Sequence, residues 1–159
     1  KLWTDNGVLV QPDGNVFWDR GTLYAFRGAF RAGACDEALG RLLPYSQTRL
    51  LGERVPYVVE AYPEYGMRHL SAESALYCRV FTEGMLGLEP AGLKTLKINP
   101  RIPSGWNELS LLSCKLMGRD LGFFITRNGN NTKMRITDSG KTIWEGNIQT
   151  GISVEINFE

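Results

Sequence analysis

Histidine, cysteine and long apolar runs are scarce in this chain, and each scarcity excludes something. Its 159 residues hold one histidine, His69, so a histidine-based metal cluster is ruled out. Cys35, Cys78 and Cys114 are odd in number, far apart and without CxxC spacing, which indicates neither a disulfide framework nor a zinc site. Each is expected to pack as a small buried thiol. No apolar run approaches the ~20 residues that span a bilayer, and the start, KLWTDNGVLV, lacks the charged-then-apolar order of a signal peptide. An initiator methionine is missing too, so the chain is read as a possible fragment. Charge of one sign is absent: 18 basic and 17 acidic residues give a net +1, with no electrostatic case for nucleic acid or an anionic membrane. Gly28, Gly33 and Gly40 lie in or beside helical segments with no strand before them, so P-loop and dinucleotide fingerprints are missing. No serine sits in a GxSxG elbow.

What is present is a globular chain whose pattern changes near residue 90. The expected organisation is α+β in two parts, residues 1–90 and 91–159. In the first part, Leu23, Phe26 and Phe30 recur on one helical face, with Arg27 and Arg31 turned away and Gly33 as the stop. Asp36 is placed to cap a second helix that runs to Pro44 or a little beyond, giving an αα-hairpin. A third helix, 72–86, has Ser71 before it and Glu73 in its first turn. Its apolar residues cover nearly the whole circumference, leaving Arg79 and Glu83 as a polar stripe, so it demands cover on most sides.

After residue 90 the apolar residues alternate. LKTLKIN, ELSLLSCKLM, LGFFITR, TKMRITD, TIWEG and ISVEINF read as strands, joined at GRD, NGNN and SGK by residues that tolerate positive φ. Six antiparallel strands with one apolar face each predict a small β-sandwich. The prolines of INPRIPSGW stiffen the link into it. Asn130-Asn131-Thr132 fits the glycosylation acceptor pattern, but it falls at a hairpin tip where asparagine is wanted for the turn.

The chemistry-bearing stretch is VPYVVEAYPEYGMRH, residues 55–69. Glu60 and Glu64 stand among Tyr57, Tyr62 and Tyr65, with Phe17 and Trp18 as further aromatics upstream. A carboxylate in a partly desolvated aromatic pocket has its pKa raised and can serve as general acid or base. The same glutamates can equally be solvated or paired with Arg54, Arg68 or Arg79, and the residues alone leave both readings open.

The run VEAYPEYGMRHLSAESALYCRVFTEGMLGLEPAGLKTLKINPRIPSGW resembles the C-terminal part of the six-hairpin glycosidases, nearest the pattern of the family 78 α-L-rhamnosidases. The features that carry it are Glu60 flanked by aromatics, then His69, a helix ending in MLGLEP, and INPRIP; GACDEALGRLLPYSQTRL is similar to hairpin connections in the same barrels. The likeness covers most of residues 20–110. Trehalases and maltose phosphorylases share these helical phrases. It implies the last helices of an (α/α)6 barrel followed by an antiparallel β-sandwich. Glu60 then falls at the general base of an inverting hydrolase, with Trp18, Tyr62, Glu64 and His69 lining the sugar pocket. The tryptophans that flank the base in the pattern are Val59 and Tyr62 here, and no general acid can be matched. A six-hairpin barrel has twelve helices and this chain has about three. The implied partners are an oligosaccharide or glycoside substrate and the missing N-terminal barrel portion, with no metal or organic cofactor; the implied location is periplasmic or secreted. A phosphorylase of the same class would need anion-binding residues at Glu60. The competing expectation is a non-catalytic carbohydrate-binding or structural β-sandwich module, which should display Trp106 or Trp144 on an open sheet face.

Overall fold

A computed structural model describes residues 2–49, 61–63, 71–129 and 131–158. Among the described residues the chain is mixed α+β, with three helices and antiparallel sheets and no six-hairpin barrel. It divides into two compact units, Lys1–Met85 and Leu86–Glu159.

The first unit opens with two short strands, β1 (Trp3–Thr4) and β2 (Gly7–Val8), then β3 (Phe17–Trp18), which runs directly into helix α1 (Asp19–Arg31). As the periodicity predicts, Leu23, Phe26 and Phe30 are buried. Gly33, at φ +88°, lets the chain turn: its N–H donates to the Phe30 carbonyl and that of Ala34 to the Ala29 carbonyl, which closes a Schellman motif. Helix α2 (Cys35–Arg49) follows. It begins before Asp36, which lies in its first turn and not at its cap, and it continues through Pro44. The proline removes one N–H opposite Gly40, while the Ser46 and Thr48 hydroxyls bond back to the Leu42 and Pro44 carbonyls. Strand β4 (Ala61–Tyr62) pairs with β3.

The third helix starts as α3 (Ser71–Arg79) and widens into a π-helical turn, Val80–Met85. In that turn Glu83 is bound by Arg79 and, at 2.8 Å, by Arg27 of α1. A Cβ on Gly84 would meet the Arg27 Cα at 3.2 Å, so the two backbones approach closely. The residues after it do not extend the helix: Glu89–Pro90 form strand β5 of the second unit.

In the second unit, β5 pairs with β6 (Thr95–Ile98), which pairs with β11 (Val154–Asn157), in the order β11-β6-β5. A meander of β7 (Glu108–Leu116), β8 (Arg119–Asn128), β9 (Asn131–Asp138) and β10 (Lys141–Ile148) forms the four-stranded sheet. Each of the six predicted strands is found. Leu96, Ile98 and Ile156 from one sheet, with Phe158 just after its last strand, share a single buried core with Leu121, Phe123, Ile125, Met134 and Ile136 from the other. Each such side chain contributes about 1.5–3 kcal/mol on burial. Strand β7 needs a bulge between Leu111 and Cys114, because its core-facing residues are 109, 111, 114 and 116, a pattern that changes phase once. The first hairpin turn is Met117–Gly118, both with positive φ, so the predicted GRD join lies one residue too late; Arg119 and Asp120 are already in β8. The proline segment after β6 is pinned by Arg127, whose guanidinium donates to the carbonyls of Ile102, Pro103 and Ser104.

The expectation of three buried thiols is overturned. Cys35 and Cys114 are half-buried and Cys78 is exposed. Helical spacing alone does not reveal how much of a helix has a neighbour to cover it.

Candidate functional site

The site is built where β3 passes into α1. Trp18 precedes the helix and offers no side-chain cap; the Thr22 hydroxyl instead donates to the Trp18 carbonyl at 3.1 Å and accepts the Val8 N–H at 2.9 Å. Thr22 thereby ties β2 to the first turn of α1. Gly7, at φ +117°, is required beside it, since a Cβ there would lie 2.6 Å from the Thr22 hydroxyl oxygen. Across the ladder, Phe17 pairs with Tyr62 and Trp18 with Ala61. Phe17 and Ala61 are buried, Tyr62 is half-buried, and Trp18 is 56% exposed.

Behind this ladder lies a buried polar cluster. Arg49, the last residue of α2, is 2% exposed and faces Asp19, the first residue of α1, which is 0% exposed; Nε and Oδ1 stand 3.4 Å apart. The Arg49 Nη2 donates to the Asn6 carbonyl at 2.9 Å. Its guanidinium also lies 3.5 Å from the centre of the Tyr62 ring, a close cation–π contact, and 5.8 Å from that of Tyr45. Burial, then the neighbouring Asp19 carboxylate, push the Tyr45 phenol well above its ordinary pKa, so it stays protonated. Tyr45 meets Phe26 edge-on at 5.3 Å, and Phe26 meets Trp3 at 5.4 Å, which joins the cluster to the aromatic core. A second carboxylate, Glu73 in the first turn of α3, is wholly buried and takes Arg20 Nε and Nη2 on one oxygen at 2.9 and 2.8 Å.

Compared with protein-family models, with curated proteins and with solved structures, this chain finds no match. Its chemistry is therefore argued from its own residues.

Of the residues singled out in the sequence, Glu60, Glu64 and His69 lie outside the described residues. Trp18 and Tyr62 are brought to one ladder, in adjacent register. Trp18 offers an open indole. Tyr62 is half-buried, with one ring face occupied by Arg49 and the Phe17 ring 6.4 Å away. The acceptor asparagine of the glycosylation pattern, Asn130, is also outside the described residues. Trp106 and Trp144 are both half-buried and packed against the core of the two-sheet unit.

Sequence reasoning missed Asp19, Tyr45 and Arg49. A signal existed for Arg49: Ala38, Leu42, Tyr45 and Arg49 follow the i, i+4, i+7, i+11 spacing of one helical face, and all four are buried. An arginine at the end of an apolar stripe announces a buried partner. Among the described residues no group of three His, Cys, Asp or Glu side chains could hold a metal ion, and no helix is long and apolar enough to cross a membrane.

Proposed function

We propose that this chain is the C-terminal part of an inverting glycoside hydrolase, comprising the last helices of an (α/α)6 barrel and a β-sandwich, and that Glu60 is its general base. The observation that carries the reading is the β3–β4 ladder. It sets the open indole of Trp18 directly across from Ala61, the residue that follows Glu60 in the chain. An exposed aromatic face suits the C–H face of a sugar ring. In such a reaction the base takes a proton from the attacking water, and the acid stands about 6.5–9.5 Å away across the scissile bond. The acid is assigned to barrel helices of the parent protein, so the chain by itself is expected to be inactive. Glu64 and His69 complete the pocket in this reading, and the substrate is an oligosaccharide or glycoside. A separate carbohydrate-binding role for the two-sheet unit asks for open aromatics, whereas Trp106 and Trp144 are both half-buried and packed against its core.

The test is turnover of a panel of aryl glycosides by the full-length gene product and by its Glu60→Gln variant. Loss of the base is expected to lower the rate by roughly 10² to 10⁴. Near wild-type turnover by the variant removes Glu60 from the mechanism.

A further inference from the structure

We infer that strand β7 pairs antiparallel with β7 of a second copy of this chain, joining two four-stranded sheets into one. The inference concerns the second unit and does not depend on the function proposed above. β7 is nine residues long and lies at the edge of its sheet; among the described residues its backbone pairs with β8 alone. Its side-chain bonds go the same way: the Ser113 hydroxyl donates to Asp120 at 2.6 Å, and Lys115 meets Asp120 at 2.7 Å. Leu109, Leu111, Cys114 and Leu116 face the core but are only half-buried, and Leu112, in the bulge, is 73% exposed. An edge strand of this length with uncovered leucines is a template for another strand.

The strand's own sequence points to its copy as the occupant. The bulge between Leu111 and Cys114 sets two residues of β7 against one of β8. A second β7 carries the same bulge, so with a two-fold axis between Leu112 and Ser113 residue meets residue throughout. Leu109 then lies opposite Leu116 of the second copy, and Leu111 opposite its Cys114. Inward side chains meet inward side chains along the whole strand. Sliding by two residues loses this match: it sets Leu111 against Leu112 of the second copy, or Cys114 against its Ser113. On the outer face Ser110 falls opposite Lys115 of the second copy, with Glu108 diagonal to that lysine. Opposite charges come within reach of each other and no like charges are directly opposed. Because the same patch is used on both sides, the contact closes as a dimer.

The test is made on the 159-residue chain. Sedimentation equilibrium should show a dimer. Leu112→Lys alters an exposed side chain beside the axis and brings two like charges together, so it should raise the dissociation constant on the order of 10-fold or more. Register is read by disulfide trapping in a background carrying Cys35→Ser and Cys78→Ser. With copper–phenanthroline in air, oxygen takes up the two electrons lost by each pair of thiols. Leu111→Cys should then link to Cys114 of the second copy and run as a covalent dimer on a non-reducing gel. Leu109→Cys, which faces Leu116 of the second copy, should not. Mass spectrometry of the linked peptides identifies the pair, and circular dichroism at the strand band checks that each variant is folded. A monomer at every concentration, a dimer that Leu112→Lys leaves intact, or equal linking by Leu109→Cys and Leu111→Cys overturns the inference. Should Leu111→Cys not fold, Leu112→Lys decides the question.

Discussion

Replacing Asp19 by asparagine keeps the shape of the side chain and removes the charge that faces Arg49. Both groups are buried, so the guanidinium is left in a low-dielectric site opposite a neutral amide. Breaking a buried ion pair from one side costs about 3–5 kcal/mol, much of it the penalty of the abandoned charge. Arg49 keeps the Asn6 carbonyl at 2.9 Å and the Tyr62 ring at 3.5 Å. Those contacts go on stabilising the cation, which places the expected loss near the lower end, about 3 kcal/mol. Urea unfolding followed by circular dichroism at the helical band reads the first unit, because α1, α2 and α3 belong to it. With a denaturant slope of about 1–3 kcal/mol per molar, the midpoint should fall by at least about 1 M. Arg49→Met should also destabilise the first unit, since it removes the cation that faces the buried Asp19 carboxylate. Removing both charges together, Asp19→Asn with Arg49→Met, should cost less than the two single losses added. If Asp19→Asn loses less than about 1 kcal/mol, or if the single losses simply add in the double variant, the two charges are not coupled across a buried contact and the reasoning fails.

Gly87 sits at φ +65°, and a Cβ there would lie 2.2 Å from the Asn99 carbonyl oxygen; Gly87→Ala should destabilise the second unit by more than about 2 kcal/mol, read by calorimetry. Burial pushes the Glu83 carboxyl up, but the hydrogen bonds and charges of Arg79 and Arg27 outweigh it and hold the pKa below its ordinary 4.5. A depressed folded pKa means that the stabilisation is complete above the unfolded value and disappears as pH falls through the folded one. The melting temperature of the helical unit should therefore drop below pH 4.5, and drop less steeply in Glu83→Gln.

The strands and helices were legible because burial repeats with the period of the backbone. Leu121, Phe123 and Ile125 alternate, and Leu23, Phe26 and Phe30 follow a helical face, so each element shows its inner side without knowledge of its partner. Details that depend on a partner were not legible. The π-helical turn widens beside Arg27, a residue more than fifty positions away, and Glu89–Pro90 becomes a strand because Lys97 and Leu96 are there to pair with it. The ion pair of Asp19 and Arg49 is of this kind: each residue looks like an ordinary helix-end charge until the two ends meet. The opposite holds for Trp18 and Tyr62, which attracted notice as aromatics near a glutamate. Their shared ladder follows from a pairing of strands separated by both helices.

The same distinction gives Cys78 its use. A helix that is apolar round most of its circumference requires cover on most sides. Val80 and Met85 have it, Leu76, Tyr77 and Phe81 have it in part, and Cys78 stands open. If the chain is the end of an (α/α)6 barrel, as proposed, the remaining cover comes from helices of the parent protein. In the 159-residue chain, Cys78 should then react with a maleimide ahead of Cys35 and Cys114, which are half-buried. Cys114 is slowed further, because burial and then the Asp120 carboxylate push its thiol up and reduce the reactive thiolate. In the full-length parent Cys78 should be protected and lose its lead to Cys35. Mass spectrometry of the labelled peptides measures both. Equal labelling of Cys78 in the two contexts would mean that no parent helix covers this face of α3, and the barrel proposal would lose the support of this open helix face.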